Sequence, residues 1–147
     1  APFEIGNHLV FSFTAAGVPH EVSMFGEGNF DVDRLKKDMS KIVEECTAIY
    51  GSHPCKRYVF FIHNLNSGGG GLEHKNSTSL QANKWGYTSP STYVGFLSLV
   101  AHEYFHLWNV KRFRPVPLGP FNYSEENYSN LLWLAEGFTA YYDDLIT

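Results

Sequence analysis

Residues 89–106, SPSTYVGFLSLVAHEYFH, decide the fold, and their last five, His102-Glu103-Tyr104-Phe105-His106, carry the chemistry. Tyr93, Leu97, Val100 and Tyr104 recur at helical spacing. Ser89 or Ser91 suits the N-cap, Pro90 suits the first turn, and Arg114-Pro115 marks the expected end. Helical residues turn by ~100° each, so His102 and His106 lie about 40° apart and one turn along. Their imidazoles leave one face at a spacing that holds one metal ion. Glu103, about 60° around from His106, reaches a water on that metal without ligating it. Two metal-ligating histidines with an adjacent general base form the zinc-hydrolase pattern. The alternative is a pair of buried histidines satisfied by backbone or water; the intervening glutamate favours the metal.

Outward from this helix, Leu9, Phe11 and Phe13 alternate with Val10, Ser12 and Thr14, which predicts a strand with one apolar face. A turn is expected at Gly17-Val18-Pro19, followed by a second extended segment over 21–25. Asp31 is the expected N-cap of a helix carrying Val32, Leu35, Met39, Ile42, Val43, Cys46 and Ile49, which Gly51 stops. The apolar run 57–62 reads as a buried strand. Gly68-Gly69-Gly70-Gly71 has no following Gly-Lys-Ser/Thr and is not a phosphate loop. It is either a flexible connector or a backbone that a ligand approaches closely. A last helix is expected from about Ser129 to Ile146, and the absence of a stop signal there reads as truncation. The order strand, strand, helix, strand, then two helices predicts one α+β unit, with a sheet-rich part at 1–80 and site-bearing helices at 81–147.

The composition narrows the function. A chain of 147 residues with 44% hydrophobic content and 16% aromatics suits a single globular core. A net charge of −4 disfavours nucleic acid. The run Lys111-Arg112-Phe113-Arg114 is expected to offset a helix C-terminal dipole. No apolar run reaches the ~20 residues of a membrane span. Cys46 and Cys55 are too few for a thiolate zinc site; Cys46 reads as an inert buried thiol, and a Cys46–Cys55 bond stays open. The sequence does not specify compartment or oligomeric state.

Three segments in order, GGGGLEHKNS at 68–77, HEYFHLWNVKRFRP at 102–115 and WLAEGFTAYY at 133–142, closely resemble the glycyl aminopeptidase family. That family comprises zinc peptidases with a thermolysin-like catalytic domain, commonly followed by a PDZ domain. The resemblance runs from about Phe3 to the end, and implies the front half of a zincin-type catalytic domain with one zinc ion. It implies that His102, His106 and Glu136 ligate the zinc, that Glu103 is the general base, and that Glu73 holds the free amine of a peptide substrate. It also implies a preference for small N-terminal residues such as glycine. The family's oxyanion-stabilising tyrosine is expected beyond residue 147, with core packing the role of Tyr141 and Tyr142. A zinc endopeptidase and a metal-holding, non-catalytic peptide-binding module are the rival readings. Asp143 lies seven residues after Glu136, within ~20° of its direction on the helix, and is a candidate to orient a ligating histidine as against a solvent-facing acid.

Overall fold

The computed structural model describes residues 2–120, 122 and 124–147. Two strands, β1 (Leu9–Ala15) and β2 (Val18–Phe25), lead to helix α1 (Val32–Tyr50) and strand β3 (Tyr58–Leu65). Short β4 (Gly71–Glu73) and β5 (Ser77–Asn83) follow, then helices α2 (Pro90–Phe105) and α3 (Leu132–Ile146). The sheet order is β1-β2-β3-β5-β4, with β2/β3 and β3/β5 parallel and the outer pairs antiparallel. This is a mixed-sheet α+β arrangement. Among the described residues no helix is long and apolar enough to cross a membrane.

The local signals behave as their chemistry requires. Asp31 accepts the Arg34 N–H at the start of α1, and Gly51, at φ 77°, closes it by donating to the Thr47 carbonyl. The β1–β2 turn falls one residue earlier than expected. Ala16 and Gly17, at φ 49° and 73°, form the two-residue connection, and Val18 and Pro19 already belong to β2. In β3, Tyr58, Phe60, Ile62 and Asn64 are buried, while Val59, Phe61 and His63 are half-covered on the other face. The outer side is covered in part by the N-terminal segment, where Glu4 meets His63 at 2.5 Å. The unbroken apolar run therefore reflects burial on both faces.

Both α1 and α2 share the inner face of the sheet, and their side chains merge into one core. Leu35, Met39, Ile42, Val43 and Cys46 of α1 meet Val22, Met24, Phe60, Ile62 and Leu80 of the strands. Each large side chain buried this way contributes about 1.5–3 kcal/mol. Ile49, expected in the core, lies in the last turn of α1 and is exposed. On α2, Phe96 is buried and Leu97 only half-buried, a rotation of the buried stripe by one residue. Both cysteines are free thiols, and burial raises the Cys46 pKa far above its ordinary range, consistent with an inert role.

The end of α2 corrects the sequence expectation. The helix stops at Phe105 with His106 as its C-cap, well before Arg114-Pro115. Leu107, Trp108 and Val110 are buried, so the apolar pattern continues while the backbone turns through i→i+3 bonds from Leu107 to Tyr104 and Trp108 to Phe105. α3 likewise begins at Leu132, three residues after the expected Ser129, whose hydroxyl and carbonyl instead hold the preceding turn. Tyr142 stacks on Phe105, but Tyr141 points outward.

His20 of β2 has no solvent exposure and lies against Phe13, His53, Tyr58 and Tyr104. Burial pushes its pKa down to about 4, the Val18 carbonyl opposing and His53 adding to the shift. The unfolded chain takes up this proton near 6.5, so stability present above that pH is lost as the pH falls toward 4. The full loss is on the order of 3 kcal/mol. Melting curves at pH 7 and 4.5 are expected to show a larger drop in Tm for the parent than for His20→Gln. Parallel drops would mean that His20 is not the titrating group.

Candidate metal centre

α2 presents two faces. Tyr93, Phe96, Val100 and Tyr104 enter the core, and His102, Glu103 and His106 turn toward a cleft under β4. His106 caps the helix yet keeps helical dihedrals (φ −60°, ψ −14°) and donates its N–H to the His102 carbonyl. The i, i+4 relation therefore survives the early end of the helix. The two Nε2 atoms stand 3.2 Å apart. Glu136, in the second turn of α3, brings Oε2 to 3.2 Å from His102 Nε2 and 3.5 Å from His106 Nε2. Ligands at ~2.0–2.1 Å from a tetrahedral zinc stand ~3.3–3.4 Å from one another, so the spacing fits one ion with a position left open.

The opposite ring nitrogens define the tautomers. His106 Nδ1 donates to the Asn109 carbonyl at 2.8 Å, and His102 Nδ1 donates to Asp143 Oδ2 at 2.8 Å. Both Nε2 atoms of the neutral rings then carry lone pairs aimed at one point, beside a carboxylate oxygen. Without a cation such a set is mutually repulsive; with one it is a ligand set. Asp143 is buried and accepts the Ser98 hydroxyl on its other oxygen, so it is no solvent-facing acid.

Glu103 is buried beside this set, and burial pushes its pKa up to about 7; His102 and Lys111 oppose the shift, Glu73 and Glu136 add to it. Glu73 on β4 is half-buried, and its Oε1 lies 2.7 Å from Lys111 Nζ. Burial acts to raise the Glu73 pKa, but the Lys111 ammonium outweighs it and holds the carboxyl below its ordinary value. The basic run after α2 is thus spent on particular partners. Lys111 takes Glu73, and Arg112 donates to the carbonyls of Leu107 at 2.6 Å and Lys75 at 3.1 Å. Beside Glu103 the cleft opens to ≈ 620 Å³, lined by the segment 68–71 and by Tyr87, Phe96, Leu99 and His102.

The family model of the M61 glycyl aminopeptidases matches residues 95–147. The resemblance read in the sequence is thus found again over this part of the chain. A solved structure of an aminopeptidase N family protein from Idiomarina loihiensis is 35% identical, with a TM-score of 0.90 over 96% of this chain. The chain spans 25% of that protein's length. No curated protein matches it.

In this chain the structure brings His102, His106, Glu136, Glu103, Asp143 and Glu73 to one cleft. Sequence reasoning missed Asn109 and Lys111. The Asn109 carbonyl holds His106, while its amide donates to the Ala135 carbonyl at 2.9 Å and the Thr139 hydroxyl at 3.0 Å, tying α2 to α3 beside Glu136. The next residue, Val110, is held at φ 123°, a conformation costly for a β-branched side chain and maintained by this packing. An amide three residues after a histidine was the available signal for Asn109.

At Gly71 the group that approaches the glycine backbone closely is the Glu103 side chain. A Cβ there would stand 2.5 Å from Glu103 Cγ and 2.7 Å from its Oε1. Carbon contacts relax near 3.5–4.0 Å, so a Gly71→Ala structure should show Glu103 or β4 displaced by about 1 Å. An unmoved Glu103 and β4 would refute the tight contact.

Proposed function

We propose that this chain is part of the catalytic domain of a zinc aminopeptidase with a thermolysin-like fold. In this reading residues 1–80 form its sheet-rich part and 81–147 its zinc-site helices. The observation that carries the reading is the convergence of His102 Nε2, His106 Nε2 and Glu136 Oε2 at tetrahedral spacing beside a buried Glu103. When bound, zinc supplies Lewis-acid polarisation of a carbonyl and lowers the pKa of water toward ~7. Glu103 removes the proton of the attacking water and passes it to the leaving amine, a task suited to a carboxyl whose pKa lies near the working pH. Asp143 and the Asn109 carbonyl hold the histidine rings in the ligating tautomer.

The substrate is a peptide with a free N-terminus, whose ammonium meets the Glu73 carboxylate. The resemblance to the glycyl aminopeptidases supports this reading, with small N-terminal residues such as glycine preferred. One observation favours a second reading, a zinc endopeptidase. Lys111 already neutralises Glu73, so the site does not require an ammonium. The pair leaves Glu73 Oε2 as the acceptor for a substrate amine under the first reading.

Two substitutions in the full-length protein test these assignments. Glu103→Gln keeps the charge-bearing ligands and should retain stoichiometric zinc while losing ~10²–10⁴ in kcat. Near-normal turnover with full zinc would assign the base elsewhere.

Glu73→Gln should weaken cleavage of free-amine peptides far more than cleavage of N-acetylated ones. Equal loss on both substrates would select the endopeptidase.

A further inference from the structure

Tyr104 lies between the two histidines in sequence but points into the sheet. Its ring packs on Tyr58 at 4.8 Å, Phe60 at 5.6 Å and Trp108 at 5.8 Å. Its hydroxyl is held twice, 2.8 Å from His20 Nε2 and 2.6 Å from His53 Nε2. His20 belongs to β2, and His53 to the connection between α1 and β3.

Counting protons gives this contact a direction. His20 Nδ1 lies 2.9 Å from the Val18 carbonyl, which only accepts, so Nδ1 carries the hydrogen and Nε2 a lone pair. Tyr104 O–H must then donate to His20, leaving its oxygen to accept from His53 Nε2–H. In a neutral ring His53 Nδ1 is consequently the acceptor, taking the Cys55 N–H at 3.0 Å rather than donating to the Cys55 carbonyl at 3.1 Å. Burial most of all, and the nearby Arg112, favour that neutral ring, with the Cys55 carbonyl opposing them. The chain of donors runs Cys55 N–H, His53, Tyr104, His20, Val18 carbonyl, with opposite tautomers in the two histidines and no proton to spare.

We propose that the Tyr104 hydroxyl, clamped between His20 and His53, is a positioning group that sets where His102, Glu103 and His106 stand in the cleft. The proposal rests on the metal-centre reading above. Apolar packing alone leaves a helix some freedom to rotate about its axis. A rotation of about 10° moves an atom 5–6 Å from that axis by about 1 Å. Metal–ligand distances tolerate only about 0.2 Å. A directional bond to two separate parts of the scaffold, made on the same turn as the ligands, removes that freedom. The Trp108 indole donating to the Ser52 carbonyl at 3.2 Å anchors the next turn to the same connection.

Zinc Kd from chelator competition, the absorption spectrum of the cobalt-substituted protein and Tm would be measured on the full-length protein and three variants. Tyr104→Phe keeps the ring and removes only the hydroxyl; it should weaken zinc about 10-fold and shift the cobalt bands. His53→Leu should do the same, whereas His53→Gln, which keeps an N–H in place of Nε2, should stay within about threefold of the parent. Lower Tm in Tyr104→Phe and His53→Leu, with parental zinc affinity and cobalt spectrum, would overturn the proposal in favour of a purely structural anchor. Should Tyr104→Phe fail to fold, the contrast between His53→Leu and His53→Gln decides by the same criteria. A parent protein that takes up no zinc would overturn the metal reading and this proposal together. A zinc-binding parent matched by all variants would overturn this proposal alone.

Discussion

The seat of α2 on the sheet is the constraint from which the site follows. One helix supplies both core and chemistry: Tyr93, Phe96, Val100 and Tyr104 are buried, while His102 and Glu103 line the cleft. Because side chains at i and i+4 share a face, anchoring one face determines the direction of the other. β4 then closes over the helix so tightly that Gly71 has no room for a side chain. Loosening the apolar seat would therefore disturb the ligand pair, the buried carboxyl and the cleft wall together.

Charge is distributed unevenly around the cleft. Glu73, Glu103, Glu136 and Asp143 bring four carboxyl groups close to two imidazole nitrogens that carry lone pairs. Asp143 is satisfied by His102 and Ser98, and Glu73 by Lys111. Glu103 has no such hydrogen-bonded partner among the described residues and its burial shows as a raised pKa, whereas Glu136 stays largely exposed on the open side. Buried acids without compensation are costly, so this arrangement is stable only where a cation or a proton completes it. Under the proposed function, the same imbalance would favour a divalent ion and the transfer of a proton.

Much of the fold is written within one or two turns of the chain. Asp31 and Gly51 bracket α1, alternation marks β1, and His102, Glu103 and His106 share a helical face whatever surrounds them, because each signal involves residues at most four positions apart. Even the early end of α2 leaves the histidine pair intact, since only the dihedrals between 102 and 106 matter. Other features depend on partners that no local pattern contains. Tyr104 meets His20 across 84 positions, and Asn109 meets Ala135 across 26. Lys111 read as part of a basic run until β4 placed Glu73 against it. Spacing alone puts Asp143 on the side of Glu136 and leaves open whether it faces solvent; it is a buried partner of His102 once α3 lies beside α2. Periodicity and capping are properties of the chain itself. Which carboxylate meets which cation is decided only when the helices are packed, because hydrogen-bond reach is about 3 Å and says nothing of sequence separation.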